Sequence, residues 1–169
     1  LQREKPVAVW GWADADESVS VAVDGQTKTA TAGAEGKWSL KLDALEASAD
    51  SRMFTVTGKD GRKVVVNDVL VGEVWLCSGQ SNMEWTVSAS DNPEAEIAAA
   101  DFPQIRQMKI AHLTNNLPLD DVKGDWLVCS PETAGSFTAA GYFMARELHR
   151  ELGVPIGLLN ISWGGTLIE

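Results

Sequence analysis

The sequence predicts an α/β protein with two domains. Residues 1–67 are expected to form a β-sandwich of jelly-roll or immunoglobulin-like type, and residues 68–169 a domain built on a parallel sheet. The first part contains short alternating strands with a turn motif about every ten residues, which is typical of a sandwich. In the second part apolar runs alternate with helical patterns, and this order indicates parallel strands joined by helices.

Alternating apolar residues mark the strands of the first domain. Val19, Val21 and Val23 precede the turn motif Asp24-Gly25, and threonines alternate beyond it, which predicts a hairpin. A second hairpin is predicted around residues 59–61, between strands at 54–57 and 63–66. Further strands are predicted at residues 7–13 and 38–42.

The second domain changes its hydrophobic period. Residues 69–76 form a nearly continuous apolar run, typical of a strand buried on both faces. A helix is predicted from Pro93 to about residue 100, then a strand at 105–111 and a loop containing Trp126. The longest helical pattern begins at a capping residue, Ser136 or Thr138, and ends before Gly153. A last buried strand is predicted at 154–161.

Charge and cysteine content narrow the functional classes. Lys and Arg number 14 against 24 Asp and Glu, so the formal net charge is −10. That balance argues against nucleic acid and against anionic membranes as partners. Two cysteines, Cys77 and Cys129, are too few for a structural zinc site. They are expected to be small buried hydrophobes, or to form a single disulfide if the protein is exported.

Special residues follow two of the predicted buried strands. Ser81 stands on a tight turn after Gly79, a position suited to a nucleophile, although Met83 excludes the G-x-S-x-G elbow. Gly164 and Gly165 follow the last strand, where a helix starting near residue 166 would add a positive dipole end. The Ser81 N–H and an N–H of this glycine turn would together hold an oxyanion. An ordinary serine turn and a plain glycine turn are the alternative interpretations.

A base for this serine is missing from the sequence pattern. The chain has two histidines, and a serine nucleophile normally needs one oriented by a carboxylate. His149 lies on the long helix and is expected at the surface. His112 ends a predicted strand but has no acidic residue near it in sequence. The residues therefore predict a nucleophile and oxyanion donors without a base.

Residues 71–85, which include Gly79-Gln80-Ser81-Asn82-Met83, resemble the nucleophile block of sialate O-acetylesterases. These enzymes are members of the SGNH hydrolase superfamily. Residues 1–13, 137–157 and 162–169 resemble the same family, so the likeness covers nearly the whole chain.

The resemblance implies a fold and an activity. The second domain would be the first part of an SGNH-type three-layer α/β/α hydrolase domain. Ser81 would take an acetyl group from an O-acetylated carbohydrate, either sialic acid or a plant-type polysaccharide. Gln80 and Asn82 would frame the turn or contact substrate, and Ser81, Gly164 and Gly165 would supply oxyanion donors. The resemblance implies no metal or other cofactor, and a secreted or periplasmic protein.

In this family, an oxyanion Asn and an Asp-x-x-His motif come later in the chain. We therefore expect residues 1–169 to be the N-terminal portion of a longer esterase, inactive without its C-terminal part. A second hypothesis is a non-catalytic carbohydrate-binding or interaction module, in which Trp10 and Trp12 form a sugar platform. Core or interdomain packing is the alternative interpretation of these two residues.

Overall fold

A computed structural model of the protein describes residues 1–166. The chain divides into two compact units, Leu1–Gly72 and Glu73–Glu169. The sequence places the boundary at residue 67. The first unit instead continues to Gly72, because its last strand runs on to Val71.

The first unit consists of six strands in two antiparallel sheets. The strands are β1 (Val7–Trp12), β2 (Ser18–Val23), β3 (Gln26–Thr31), β4 (Lys37–Leu42), β5 (Ser48–Thr57) and β6 (Lys63–Val71). β1 pairs with β4, and the other four form a sheet in the order β3-β2-β5-β6. Both predicted hairpins are confirmed, and Asp24 and Gly25 turn the first one with φ of 51° and 76°. One apolar core draws on both sheets; it contains Val19, Val21, Val23, Ala32, Trp38, Leu42, Leu45 and Val71.

The second unit is built on one four-stranded sheet in the order β7-β10-β8-β9. The strands are β7 (Glu73–Cys77), β8 (Phe102–Lys109), β9 (Trp126–Cys129) and β10 (Ile156–Asn160). β10 runs parallel to both β7 and β8, as the β-α-β order predicts. β9 runs antiparallel to β8. The predicted loop therefore ends before Trp126, because the four apolar residues Trp126–Cys129 pair with β8 as an outer strand.

The apolar run at residues 69–76 is not one buried strand. It breaks at Gly72 into the end of β6 and the start of β7, which belong to different sheets. Val74, Trp75 and Leu76 are exposed, with Leu76 at 60%. Among the described residues β7 is an edge strand that pairs with β10, so its side chains are covered less than those of a central strand.

In the described part of the second unit three α-helices lie between these strands: α1 (Ser81–Glu84), α2 (Pro93–Ala98) and α3 (Ala139–Leu152). Thr138 is the N-cap of α3, since its side chain accepts a hydrogen bond from the Gly141 N–H. Gly153 ends the helix with φ of 65°. In residues 1–166 no helix has the length and apolarity needed to cross a membrane.

Cys77 and Cys129 are free and buried. They lie in β7 and β9, the two outer strands of the sheet. Three strand spacings separate such positions by roughly 14 Å, and a disulfide needs Cα atoms within about 7 Å. The two thiols therefore remain unpaired, and burial raises the pKa of Cys129 to about 11.

Candidate active site

Ser81 is the first residue of α1, just past the carboxyl end of β7. Gly79 precedes it with φ of 142°, a conformation that residues with a side chain rarely adopt. The N–H groups of Met83 and Glu84 both donate to the Gln80 carbonyl, at 3.0 and 2.9 Å, and so close the turn. Ser81 is exposed at this helix start. Within residues 1–166 its own N–H and its hydroxyl have no hydrogen-bond partner.

Backbone pairing between β7 and β10 continues beyond both strands. The Ile161 N–H donates to the Cys77 carbonyl and the Trp163 N–H to the Gly79 carbonyl, each at 3.0 Å. This extension brings Gly164 against the serine. A Cβ placed on Gly164 would be 3.5 Å from Ser81 Oγ and 3.7 Å from Ser81 Cα. Ser81 and Gly164, which are 83 residues apart in sequence, are therefore neighbours in space.

The flanking residues Gln80 and Asn82 differ in their contacts. Gln80 Nε2 donates a hydrogen bond to the Thr166 carbonyl, which ties the serine turn to the glycine turn. The Asn82 side chain is exposed and makes no hydrogen bond in the described part of the chain. Its substrate contact stays a prediction. The helix predicted to begin near Thr166 falls on residues 167–169, outside the described residues.

Glu84 ends the helix that Ser81 begins, and its carboxylate faces the glycine turn. Its Oε2 accepts the Gly164 N–H at 2.7 Å, and its Oε1 accepts from Lys109 Nζ at 2.9 Å. These bonds stabilise the ionised carboxylate, and the hydrogen bond from Lys109 is the main cause that lowers the pKa of Glu84. Because the Gly164 N–H is engaged, Gly165 is the member of the pair whose N–H has no acceptor among residues 1–166.

His112 has the acidic partner that its sequence neighbourhood lacks. Its Nε2 lies 3.1 Å from Glu84 Oε1 and 3.0 Å from the Ser162 carbonyl oxygen. Its ring stacks on Trp163, with centroids 4.3 Å apart and planes at 6°. No hydrogen bond joins His112 to Ser81 in the structure of residues 1–166. His149 is half-buried rather than at the surface, and its Nδ1 lies 2.8 Å from the Val154 carbonyl oxygen.

Thr138, the N-cap of α3, is hydrogen-bonded to the helix that carries Ser81. Thr138 Oγ1 donates to the Met83 carbonyl at 2.5 Å, and the Thr138 N–H donates to Gln107 Oε1 at 2.9 Å. Thr138 and Gln107 are both buried. These two contacts connect the start of α3 with α1 and with β8.

Sequence reasoning missed Glu84, Lys109 and the second role of Thr138. A usable indication existed for the first two. Glu84 is three residues after Ser81, so the two share a helix face. Lys109 is the last residue of β8, and the carboxyl ends of parallel strands meet at one edge of a sheet.

No family model matches the chain. It is 33% identical to the sialate O-acetylesterase of Mus musculus over 143 residues, which is 78% of this chain and 26% of the mouse protein. It is 33% identical to the sialate O-acetylesterase of Rattus norvegicus over 148 residues, 81% of this chain and 27% of the rat protein. The chain is a homologue of the sialate O-acetylesterases.

A solved structure supports the same relationship. A carbohydrate acetylesterase from Xanthomonas citri superimposes on this sialate O-acetylesterase homologue with a TM-score of 0.95 and 42% sequence identity. The match covers 100% of this chain and 39% of that protein. The predicted resemblance is therefore confirmed. The chain spans about a quarter of the length of the mouse and rat sialate O-acetylesterases.

Proposed function

We propose that this protein is a serine esterase that removes O-acetyl groups from carbohydrates, with Ser81 as its nucleophile. One observation carries the proposal: Ser81 stands exposed at the start of α1, and Gly164 lies against its hydroxyl. The names of the relatives support the substrate class, since they are sialate O-acetylesterases and a carbohydrate acetylesterase. Sialic acid and acetylated plant-type polysaccharides are the candidate substrates.

The reaction proceeds in two acyl transfers. Ser81 Oγ loses its proton to a base and attacks the acetyl carbonyl carbon, whose oxygen becomes an oxyanion. The N–H groups of Ser81 and Gly165 donate to that oxygen, because neither has another acceptor in residues 1–166. The intermediate collapses to acetyl-Ser81, and the sugar oxygen leaves with a proton. Water then attacks the acetyl-serine by the same route, which releases acetate and restores the hydroxyl.

The base is proposed to lie outside residues 1–169. His112 Nε2 faces Glu84 and the Ser162 carbonyl, and His149 faces the Val154 carbonyl. Since the chain spans about a quarter of its mammalian relatives, the remaining part of the same enzyme is the proposed source. On this proposal residues 1–169 alone are inactive or nearly so, because loss of such a base costs several orders of magnitude in rate.

The remaining expectations from the resemblance are proposals of the same kind. The β7-β10-β8-β9 sheet with α3 is proposed to be the first part of an SGNH-type three-layer α/β/α domain. The protein is proposed to act in the periplasm or outside the cell, and fractionation of the source cells would test this.

A fluorophosphonate probe tests the nucleophile directly. The full-length protein, its Ser81→Ala variant and a Ser78→Ala control are treated with the probe, and adducts are located by peptide mass spectrometry. Ser78 is an exposed serine in the same turn, so it controls for general reactivity. We expect labelling of wild type and Ser78→Ala at residue 81, and none of Ser81→Ala. Labelling that survives in Ser81→Ala would refute the assignment.

Acetate release tests the substrate class. The same three proteins are incubated with O-acetylated sialic acid and with acetylated xylan, and free acetate is measured over time. We expect release from at least one substrate, lost in Ser81→Ala alone. If Ser81 is labelled but neither substrate releases acetate, Ser81 remains the assigned nucleophile and the carbohydrate substrate class is refuted.

A second candidate function rests on a groove in the first unit. The groove has a volume of about 630 Å³ and is lined in part by Trp10, Trp12 and Trp38. Trp10 is 59% and Trp12 50% exposed, and their rings meet edge to face with centroids 5.3 Å apart. Exposed tryptophan rings present the flat apolar faces that suit sugar rings, so we propose a non-catalytic carbohydrate site here.

Tryptophan fluorescence tests this groove. The full-length protein is titrated with deacetylated xylan oligosaccharides, alongside Trp10→Ala, Trp12→Ala and Ser81→Ala variants. Saturable binding that is lost in the two tryptophan variants and kept in Ser81→Ala would support the module. Loss of sugar binding in Ser81→Ala, or no binding by any of the proteins, would refute it.

A further inference from the structure

We propose that Glu84 is a positioning residue for the esterase reaction, which holds the Gly164–Gly165 turn at a fixed place against Ser81. The inference rests on the proposed function. Glu84 is the last residue of α1, the helix that Ser81 begins. Its Oε2 accepts the Gly164 N–H at 2.7 Å. One carboxylate thus joins the helix that carries the nucleophile to the turn that carries the oxyanion donor.

The two oxygens of Glu84 have separate partners. Oε2 binds the glycine turn, whereas Oε1 binds Lys109 Nζ at 2.9 Å and lies 3.1 Å from His112 Nε2. Lys109 Nζ also donates to the Ser162 carbonyl at 3.2 Å. The cation is therefore bonded both to Glu84 and to the residue two positions before Gly164. The hydrogen bond between the Lys109 ammonium and the Glu84 carboxylate joins two charged groups, and such bonds are short and strong. It therefore helps to hold the Glu84 carboxylate in one position.

The bond to Glu84 also gives the two glycines different roles. Gly164 gives its N–H to the carboxylate, and a Cβ there would be 2.7 Å from Oε2, so an added methyl group would have to displace the carboxylate. Gly165 follows with φ of 76°, in the left-handed region, and a Cβ placed on it would have no neighbour within 4 Å among the described residues. By fixing Gly164, Glu84 sets where the next N–H points. Oxyanion donors act only when they are aimed at the developing charge.

Replacement of Glu84 by glutamine separates the effect of its hydrogen bonds from the effect of its side-chain volume. Glutamine keeps the size but carries one oxygen and one NH₂ group. Whichever way the amide lies, its NH₂ faces a donor, either the Gly164 N–H or the Lys109 ammonium. The variant therefore loses one of the two bonds without opening a cavity.

Steady-state kinetics of the full-length protein on an acetyl ester test the inference. Variants Glu84→Gln and Lys109→Met are compared with Glu94→Gln, an exposed carboxylate on α2 of the same unit. For Glu84→Gln we expect kcat to fall roughly 10- to 100-fold with KM nearly unchanged. Misplaced donors stabilise the transition state less well but leave the binding of the ground-state substrate unaffected. Fluorophosphonate labelling of Ser81 should slow in parallel. The control should retain wild-type values, with melting temperatures recorded for all.

The outcomes separate the two proposals. An active wild type with kcat preserved in Glu84→Gln would overturn the positioning role and leave the esterase intact. A rise in KM with unchanged kcat would do the same. A wild type that is neither active nor labelled would overturn the proposed function and this inference with it. If Glu84→Gln does not fold, Lys109→Met decides, since we expect it to lower kcat about 3- to 10-fold at constant KM.

Discussion

Gly164 lies against Ser81 so closely that a Cβ on the glycine would be 3.5 Å from the serine Oγ. The same Cβ would be 2.7 Å from Glu84 Oε2, a distance that real contacts do not tolerate. Gly164 shows no left-handed φ, so an added methyl group there would disturb this contact with the carboxylate rather than the backbone conformation. A side chain at position 164 would therefore make ordinary contact with Ser81 but would have to displace the Glu84 carboxylate.

Replacement of Gly164 by alanine tests this close approach. The added methyl must displace the Glu84 carboxylate, and with it the turn, so we expect kcat/KM to fall at least about 10-fold. Acetyl ester hydrolysis by the full-length protein measures the loss. Gly33→Ala is the control, since its Cβ would come no closer than 3.7 Å to any neighbouring atom, the Lys37 carbonyl oxygen. Equal activity of the two variants would contradict the prediction.

The hydroxyl of Thr138 is expected to couple the two helices. Thr138→Val keeps the shape of the side chain but leaves the Met83 carbonyl and the Gly141 N–H without this partner. We expect a loss of about 1–3 kcal/mol in the free energy of unfolding, as for other buried groups that lose a bond. Chemical denaturation measures this loss, and labelling of Ser81 should slow because α1 is released.

Thr138→Ser is the matched variant for this prediction. It keeps the hydroxyl and removes one methyl group, which is worth about 1 kcal/mol when buried. We expect it to label at the wild-type rate. Slow labelling in the serine variant, or normal labelling in the valine variant, would show that packing rather than the hydroxyl supports the serine helix.

Local patterns predicted most of the strands but not which sheet each one joins. Asp24-Gly25 predicts its hairpin because the turn needs positive φ at adjacent residues, and the structure has it there. The run through Gly72 carries no comparable indication. Its residues are apolar on both sides of the break, and period alone does not reveal that β6 and β7 pair with different partners.

The part of the candidate site that could be predicted consists of residues that come directly after the ends of strands. Ser81 and Gly164 each come after an apolar strand, and parallel strands bring such positions together. The contact of His112 with Glu84 spans 28 residues and depends on where β8 ends, so its sequence neighbours gave no hint of it. The same holds for Thr138 and Met83, whose bond spans 55 residues.

Gly141 offers a prediction in which two effects have opposite signs. Alanine is favoured over glycine inside a helix by about 1 kcal/mol. Yet a Cβ at Gly141 would be 2.5 Å from Thr138 Cγ2 and 3.1 Å from Cys77 Sγ, in a buried site. Overpacking of a core typically costs about 1–3 kcal/mol, so we expect Gly141→Ala to lower the free energy of unfolding. A more stable variant in chemical denaturation would mean that α3 can shift away from β7.

The buried carboxylate of Glu17 makes the stability of the first unit depend on pH. Glu17 is 6% exposed; its Oε1 accepts the Lys59 N–H at 2.5 Å, and its Oε2 accepts from the Asp14 N–H and from Arg62. The bond from the Lys59 backbone is the main cause that lowers the pKa of Glu17. A lowered carboxyl pKa adds stability above the unfolded value of about 4.3, and this stability is lost as pH falls through the folded value.

Thermal unfolding between pH 7 and pH 3 measures this contribution. We expect Glu17→Gln to melt at a lower temperature than wild type at pH 7, because the amide presents one acceptor where the carboxylate presents two. Below about pH 4 the gap should narrow, since wild type then loses the charge that the variant never had. Glu35→Gln, an exposed site in the same unit, is the control and should follow wild type throughout. A constant gap between Glu17→Gln and wild type at every pH would mean that shape, not charge, holds the Lys59 turn.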